Sequence, residues 1–159
     1  MTTSIIRFLN IILAALLAGT SFGIWIGFNP MNLSPSTYIE QQQNMLQSLR
    51  TLMVSLIVFA TIITILSAYL QKHDKSTFIF LILAAVFFIA CALITLFGNK
   101  PIDDIVIIWT KDAIPNNWTE LRDNWWSFHL LRTIAEIIAL LLVTWTSIIK
   151  DNRRTFKTV

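Results

Sequence analysis

The sequence has few charged residues and a single cysteine. Asp, Glu, Lys and Arg make up only 13% of its 159 residues, whereas hydrophobic residues make up 55%. A soluble domain of this length does not need so much apolar surface, so the composition indicates a polytopic membrane protein. Cys91 has no second thiol with which to exchange a disulfide, which argues against a thiol–quinone oxidoreductase. We predict that it is a small packing residue.

Histidine is scarce as well, and His129 is the only one on the predicted outer side of the membrane. It has no neighbouring histidine or cysteine, and protein metal sites need several such ligands, so no metal is predicted. The chain also lacks an internal repeat and any interrupted membrane helix, which makes transport the weakest of the functions considered. The net charge of +3 is a signal of membrane topology, and we expect no nucleic-acid partner.

Four apolar segments are each close to the ~20 residues that span a bilayer. They cover residues 5–28, 51–70, 78–97 and 126–149, and the last of them begins with polar residues. Residues 29–48 and 98–125 form the two longer connections, predicted as outer loops. The expected fold is therefore an all-α, polytopic membrane four-helix bundle that forms one domain over residues 1–159, in contact with the lipid bilayer.

The distribution of lysine and arginine predicts the orientation of the chain. The loop 29–48 contains neither residue, and the loop from Gly98 to Asn124 has three basic residues against five acids. Seven basic residues fall on the other side of the membrane, namely Arg7, Lys72, Lys75, Lys150, Arg153, Arg154 and Lys157. Both termini are therefore predicted to be cytoplasmic, in a bacterial inner (plasma) membrane. The first apolar run continues unbroken to Phe28, which favours an anchored helix over a cleaved signal peptide.

Helices two and four are predicted to extend beyond the bilayer. Ser34 can cap a helix that starts at Pro35, and no helix breaker follows before Leu70, so this helix would be about 54 Å long. Asn117, with a glutamate three residues later, predicts the start of the fourth helix. Between helices three and four we predict a stop at Gly98 and a new start at Pro101. The extensions would form a small outer cap.

The first helix carries small residues four positions apart, at Ala15, Gly19, Gly23 and Gly27. Such a row makes a smooth groove that another helix can approach closely. Three interpretations are open: packing inside the bundle, a homodimer through Gly19, Gly23 and Gly27, or a flat surface for a planar ligand.

The fourth helix has a polar seam along one face. Its members are separated by 4, 3, 4, 3 and 4 positions, and they are Trp118, Arg122, Trp125, His129, Arg132 and Glu136. Ionisable groups inside a membrane must face the bundle interior, where they are either an ion-paired scaffold or the wall of a pocket. Asp103 and Asp104 are predicted partners for the arginines. Trp126 and Phe128 lie off the seam and are predicted interfacial anchors.

The stretches "FGNKPIDDIVIIW" and "WTELRDNWWSFHLLR" resemble the anthrone oxygenase-like family of small four-helix membrane proteins. Its members end helix three with Asn-x-Pro-[Ile/Leu]-Asn, followed by Trp, by Arg-x-x-Trp, and by an arginine seven residues later. These motifs fall on Asn99, Pro101, Ile102, Trp118, Arg122, Trp125 and Arg132. Asp103 departs from the pattern, because asparagine is usual there.

Characterised members of that family oxidise anthrones to anthraquinones with molecular oxygen and no evident metal or flavin. The resemblance thus implies an oxygenase without a cofactor, acting on a hydrophobic, ring-bearing small molecule. Such chemistry needs a base, predicted to be His129 or Glu136, and a cation that holds the resulting anion. The predicted substrate-binding residues are Arg122, Arg132, Trp118, Trp125, Asn99 and Asp103. The alternative is a non-enzymatic membrane protein that binds a lipid or a partner helix and uses the seam only for structure.

Overall fold

The computed structural model describes the backbone of residues 1–155 and the side chains of residues 1–148. In this range the chain forms four long helices, α1 (Thr2–Gly27), α2 (Pro35–Leu70), α3 (Lys75–Ile94) and α5 (Trp118–Thr155), together with a short α4 (Lys100–Val106) and no strand. Four helices are long and apolar enough to cross a membrane, the third running from Lys75 through Val106. The predicted all-α four-helix fold is confirmed, and its composition is that of an integral membrane protein.

The four long helices pack in a ring. α1 packs against α2 and α5, and α3 packs against the same two helices. The interior has two apolar clusters. An inner core contains Leu17, Phe88 and several fully buried alanines, and an outer core contains Tyr38 and Trp125.

The outer cap forms from the predicted helix extensions. α2 begins at Pro35, and Ser34 Oγ accepts a hydrogen bond from the amide of Thr37 at 3.3 Å, as its sequence predicts. α5 begins at Trp118, directly after Asn117. Gln43 of α2 holds the end of α4, because its Nε2 donates to the carbonyl oxygens of Val106 at 3.0 Å and Trp109 at 2.9 Å.

The predicted stop at Gly98 is wrong. A π-helical turn over Thr95–Asn99 joins α3 to α4 without a break, and the outer loop begins only after Val106. The wider π turn gives room for Pro101, which lacks an amide hydrogen and would clash with a regular preceding turn. Glycine is required at position 98 because an added Cβ would lie 2.6 Å from Cγ of Phe128 on α5.

The glycine row of α1 faces away from the bundle. A Cβ added to Gly19, Gly23 or Gly27 would meet no described atom within 4 Å, so their predicted packing inside the bundle is wrong. The homodimer through this face stays a prediction. So does the orientation of the chain, because Lys157 and the side chains of Lys150, Arg153 and Arg154 lie outside the described part.

Candidate functional site

The polar seam of α5 faces the interior of the bundle. His129 and Glu136 are fully buried, Arg132 is 6% exposed, and Arg122 is buried beneath the cap. The spacing alone explains this, since residues three or four apart lie on one side of a helix. The seam is therefore a buried set of ionisable side chains, and its cross-helix contacts decide what it can do.

His129 lies in a stack with two tryptophans. Its ring is parallel to that of Trp125, with centroids 5.2 Å apart at an angle of 3°, and it lies 5.4 Å from the ring of Trp126. Trp126 is only 8% exposed, so its prediction as an interfacial anchor is wrong. Its ring covers the imidazole three residues later on the same face of the helix.

Arg132 determines which nitrogen of His129 carries a proton. The Nε of Arg132 lies 3.3 Å from His129 Nδ1, and its Nη2 lies 3.1 Å away. Because a guanidinium has only donors, Nδ1 must be the acceptor and the ring proton sits on Nε2. Nε2 has no hydrogen-bond partner among the described residues. The lone pair through which His129 could act as a base is therefore occupied by Arg132.

Glu136 contacts a cysteine instead of an arginine. Cys91 Sγ of α3 donates to Glu136 Oε1 at 2.9 Å, whereas Oε2 has no hydrogen-bond partner within the described chain. Ser21 of α1 lies beside both Glu136 and His129. The Arg132 side chain turns back toward His129 and forms no ion pair with Glu136, although a spacing of four residues would allow one. Cys91 thus has a polar contact as well as a packing role.

The two aspartates of α4 have different partners. Asp103 is buried, and its Oδ1 accepts from Trp125 Nε1 at 2.7 Å and from Gln42 Nε2 at 3.4 Å. Asp104 is exposed and pairs with Arg50 at 2.5 Å and with Lys100. The pairing predicted between Asp104 and the seam arginines is therefore wrong.

Arg122 is held within the cap. Its Nε donates to Asp123 at 2.7 Å, its Nη1 donates to the carbonyl of Met31 at 3.3 Å, and its guanidinium lies 5.0 Å from the ring of Trp118. These contacts occupy its charge and bind α5 to the loop after α1, far along the helix from Arg132.

A cavity of about 300 Å³ lies between α2, the α3–α4 segment and α5, and it is partly open. Its polar lining consists of Arg50, Thr95, Lys100, Asp103 and Arg132. The apolar lining consists of Ile24, Met45, Leu46, Leu49, Met53, Val54, Ile57, Val58, Ala92 and Leu96. Among the described residues, Arg132 Nη1 donates to Thr95 Oγ1 alone, at the long distance of 3.5 Å. The cavity therefore has an apolar body, with three cationic side chains and one carboxylate in its lining.

The family model for anthrone oxygenase matches residues 43–142, well over half of the chain. The chain belongs to the anthrone oxygenase family. No curated protein and no solved structure matches it. The matched residues include all of the cavity lining except Ile24.

In this member of the anthrone oxygenase family, only two of the predicted site residues line the cavity, Arg132 and Asp103. Trp125 supports Asp103 through its indole N–H. His129 and Glu136 lie behind Arg132. No group of three or more His, Cys, Asp or Glu side chains in the described part of the chain is arranged to hold a metal ion.

The remaining predicted residues have other contacts. Asn99 Nδ2 donates to the carbonyl oxygen of Trp125 at 2.9 Å and so joins the π turn to α5. Trp118 packs against Tyr38 in the cap, with ring centroids 5.9 Å apart. Substrate contacts by Asn99, Trp118 and Arg122 stay predictions, without a place on the cavity wall.

Sequence reasoning missed the contribution of α2 and the π turn. Gln42, Arg50, Thr95 and Lys100 all bear on the cavity or on Asp103. One signal was available, because Gln42 precedes Leu46, Leu49 and Met53 at helical spacing, in a row that faces the interior. No comparable pattern marks Thr95 or Lys100.

Proposed function

We propose that this protein binds a lipophilic, ring-bearing ketone of the anthrone type in the cavity and oxidises it with molecular oxygen, without a cofactor. The observation that carries the proposal is the apolar cavity of about 300 Å³ with Arg132 and Asp103 on its wall. Membership of the anthrone oxygenase family supports it. Apolar pockets with a few convergent polar groups are the usual form of a small-molecule site.

The reaction begins with a proton transfer. The Asp103 carboxylate takes a proton from the CH₂ carbon of the substrate, and the electron pair of that C–H bond delocalises onto the ketone oxygen. Arg132 has donors directed at the cavity and stabilises this negative charge, in surroundings where electrostatic interactions are strong.

Dioxygen then serves as the oxidant. It takes up the electrons of the anion and forms a C–O bond, and the proton held by Asp103 completes a hydroperoxide. Asp103 removes the second C–H proton, the O–O bond breaks, and the hydroxide that leaves takes that proton to become water. In sum, a CH₂ group and O₂ give a second ketone and one water molecule.

This scheme moves the role of base from His129 and Glu136 to Asp103. Asp103 reaches the cavity, whereas His129 uses its Nδ1 to hold Arg132 in place. His129 then acts as a positioning residue for the guanidinium, and Glu136 lies one helical turn deeper. The role of base that the sequence predicts for Glu136 stays testable through Glu136→Gln, which would abolish turnover if Glu136 were the base.

The test is anthrone oxidation by purified protein in lipid nanodiscs, followed by anthraquinone absorbance and oxygen consumption. Asp103→Asn keeps an oxygen that can accept from Trp125 and Gln42, so the fold is expected to survive, and turnover is expected to fall ~10²- to 10⁴-fold. Asp123→Asn is the matched control in the cap and should keep the wild-type rate. Turnover no faster than in empty nanodiscs, or an unchanged rate for Asp103→Asn, would contradict the proposal.

The alternative function, binding of a lipid or a partner helix without catalysis, is favoured by one observation, the outward face of Gly19, Gly23 and Gly27. Native mass spectrometry of the purified protein distinguishes the two. A retained lipid or a dimer, together with no anthrone turnover, would support the alternative.

A further inference from the structure

The cavity has a border made of charged side chains at its outer end. Arg50 of α2 and Lys100 of α4 both line the cavity, and both pair with Asp104. The pair with Arg50 joins α2 to α4, whereas the pair with Lys100 lies within α4. All three side chains are exposed and lie just outside the predicted membrane segments 51–70 and 78–97, so this is the end of the cavity nearest to water. The three charged side chains bridge that end.

A second border of the cavity is entirely apolar. Val54 and Val58 of α2 and Leu96 of the π turn line the cavity, yet they are 50%, 48% and 51% exposed. Each of these side chains therefore belongs both to the cavity wall and to the outer surface. Neighbouring exposed residues such as Phe59 and Leu93 are apolar too. In a bilayer this border faces hydrocarbon.

We propose that the ligand enters and leaves the cavity sideways from the bilayer, through a lateral portal between α2 and α3 bordered by Val54, Val58 and Leu96. The identity of the ligand rests on the function proposed above. A fused-ring ketone dissolves in the membrane, passes the three apolar side chains and reaches Arg132 with its oxygen atom. The portal selects uncharged, lipid-soluble ring ketones and excludes molecules with a permanent charge or an attached sugar, since charged and polar groups are costly to move through hydrocarbon.

The probe for this route is 9,10-anthraquinone, the uncharged product expected from the oxidation of anthrone. Its binding to the protein in nanodiscs is measured by stopped-flow quenching of tryptophan fluorescence. Quenching that persists in Arg132→Met reports probe dissolved in the lipid and is subtracted. The difference reports binding in the cavity, with separate association and dissociation rates, and does not depend on turnover.

Val54→Trp places a larger side chain in the portal. Both rates are expected to fall about tenfold or more while the dissociation constant changes less than about threefold, because a narrowed route slows entry and exit alike. Val86→Trp is the matched control, since Val86 is 53% exposed on α3 and does not line the cavity. It should leave both rates unchanged.

Leu96→Ala widens the portal, and we expect it to raise both rates, while Leu93→Ala on the exposed side of α3 should not. Asp104→Asn breaks both ion pairs at the outer end. With an uncharged probe it should leave association unchanged if the route is lateral. Faster association in Asp104→Asn, or unchanged rates in Val54→Trp, would overturn the lateral route.

Failure of the portal and failure of the proposed function give different results. Slow binding in Val54→Trp, together with no oxidation of anthrone by the wild-type protein, would support the portal and overturn the oxygenase. Oxidation of anthrone by the wild-type protein, together with unchanged association and dissociation rates in Val54→Trp, would support the oxygenase and overturn the portal. Absence of saturable quenching in the wild type would overturn the portal, and the turnover of anthrone alone would then decide the oxygenase.

Discussion

The outer and inner halves of the bundle are built on different principles. In the inner half, alanines such as Ala60, Ala84 and Ala139 are completely buried and let the helices approach closely around Leu17 and Phe88. Its buried polar side chains include Thr64 and Asn10, which share a hydrogen bond of 2.7 Å. The outer half contains buried charges, stacked aromatic rings and the cavity.

From this difference we expect the inner half to provide stability and the outer half to provide the proposed function. Lipid is as apolar as a leucine side chain, so close packing contacts must hold the inner half together. Buried charges in the outer half are costly, and they persist where they are hydrogen-bonded or useful. Arg122 is satisfied by Asp123 and Met31, whereas Arg132 lines the cavity with donors to spare. For the function proposed above, this contrast favours Arg132 over Arg122 as the arginine that contacts the ligand.

The largest effect is expected from Arg132→Met, which removes the charge in the outer half and keeps the side-chain length. Turnover of anthrone should fall ~10²- to 10³-fold, as when an enzyme loses one donor to a developing oxyanion. The melting temperature should not fall, because a buried charge is removed as well. Initial rates and thermal unfolding of the same preparation check both parts. A lower melting temperature with an unchanged rate per folded molecule would contradict this prediction, because Arg132 would then serve stability and not function.

Phe88→Ala tests the inner half. It should lower the free energy of unfolding by on the order of 2 kcal/mol, less than in a water-soluble core, because lipid replaces water as the alternative surroundings. Unfolding in mixed micelles measures this change, and the rate per folded molecule should stay at the wild-type value. Phe97→Ala is the control, since Phe97 is among the most exposed aromatic residues of the bundle. An equal loss in both variants would contradict the importance of inner packing.

Gly98→Ala tests the junction between the halves. The new Cβ would overlap the Phe128 ring, at a cost of about 1–3 kcal/mol in unfolding free energy, typical of overpacking. Adding Phe128→Ala should recover most of that loss, which the same unfolding measurement would reveal. If the double variant did not recover stability, the close approach of Phe128 would not be the reason why position 98 requires glycine.

The smallest effect is expected from Glu40→Gln at the edge of the cap. The hydrogen bond to Glu40 raises the pKa of Lys111 above its ordinary value. Any stabilisation by this pair is thus present at neutral pH and is lost as the pH rises through the raised pKa. Both groups are exposed and screened by water, so the melting temperature at pH 7 should not change measurably. A measurable change in the melting temperature would show that this ion pair of the cap contributes to stability.

Much of the fold could be predicted because it depends on local sequence. The start of α2 at Pro35, the start of α5 at Trp118 and the inward face of the seam all follow from caps and helical spacing. The π turn at Thr95–Asn99 does not follow from these local signals, because Gly98 and Pro101 are equally compatible with the end of a helix. Only the approach of Phe128 explains why the helix continues there.

The candidate site was predicted in its residue types and less well in its pairings. Arg132 and Asp103 were recognised and do line the cavity. Glu136 has Cys91 as its partner, 45 positions away in the chain. Asp103 has Gln42 as a partner, 61 positions away. Such pairs depend on how one helix is rotated against another, which the spacing within a single helix does not specify.

Local sequence is enough to predict the four long apolar helices, their extension into a cap and the set of ionisable side chains on one face of α5. These features follow from hydrophobic length, capping residues and the period of the helix, all of which act between near neighbours. The packing of the helices against each other adds the hydrogen bond from Cys91 to Glu136, the ion pair between Asp104 and Arg50, and the cavity beside Val54 and Leu96. Those outcomes depend on distances between helices, where a shift of about 1 Å makes or breaks a hydrogen bond.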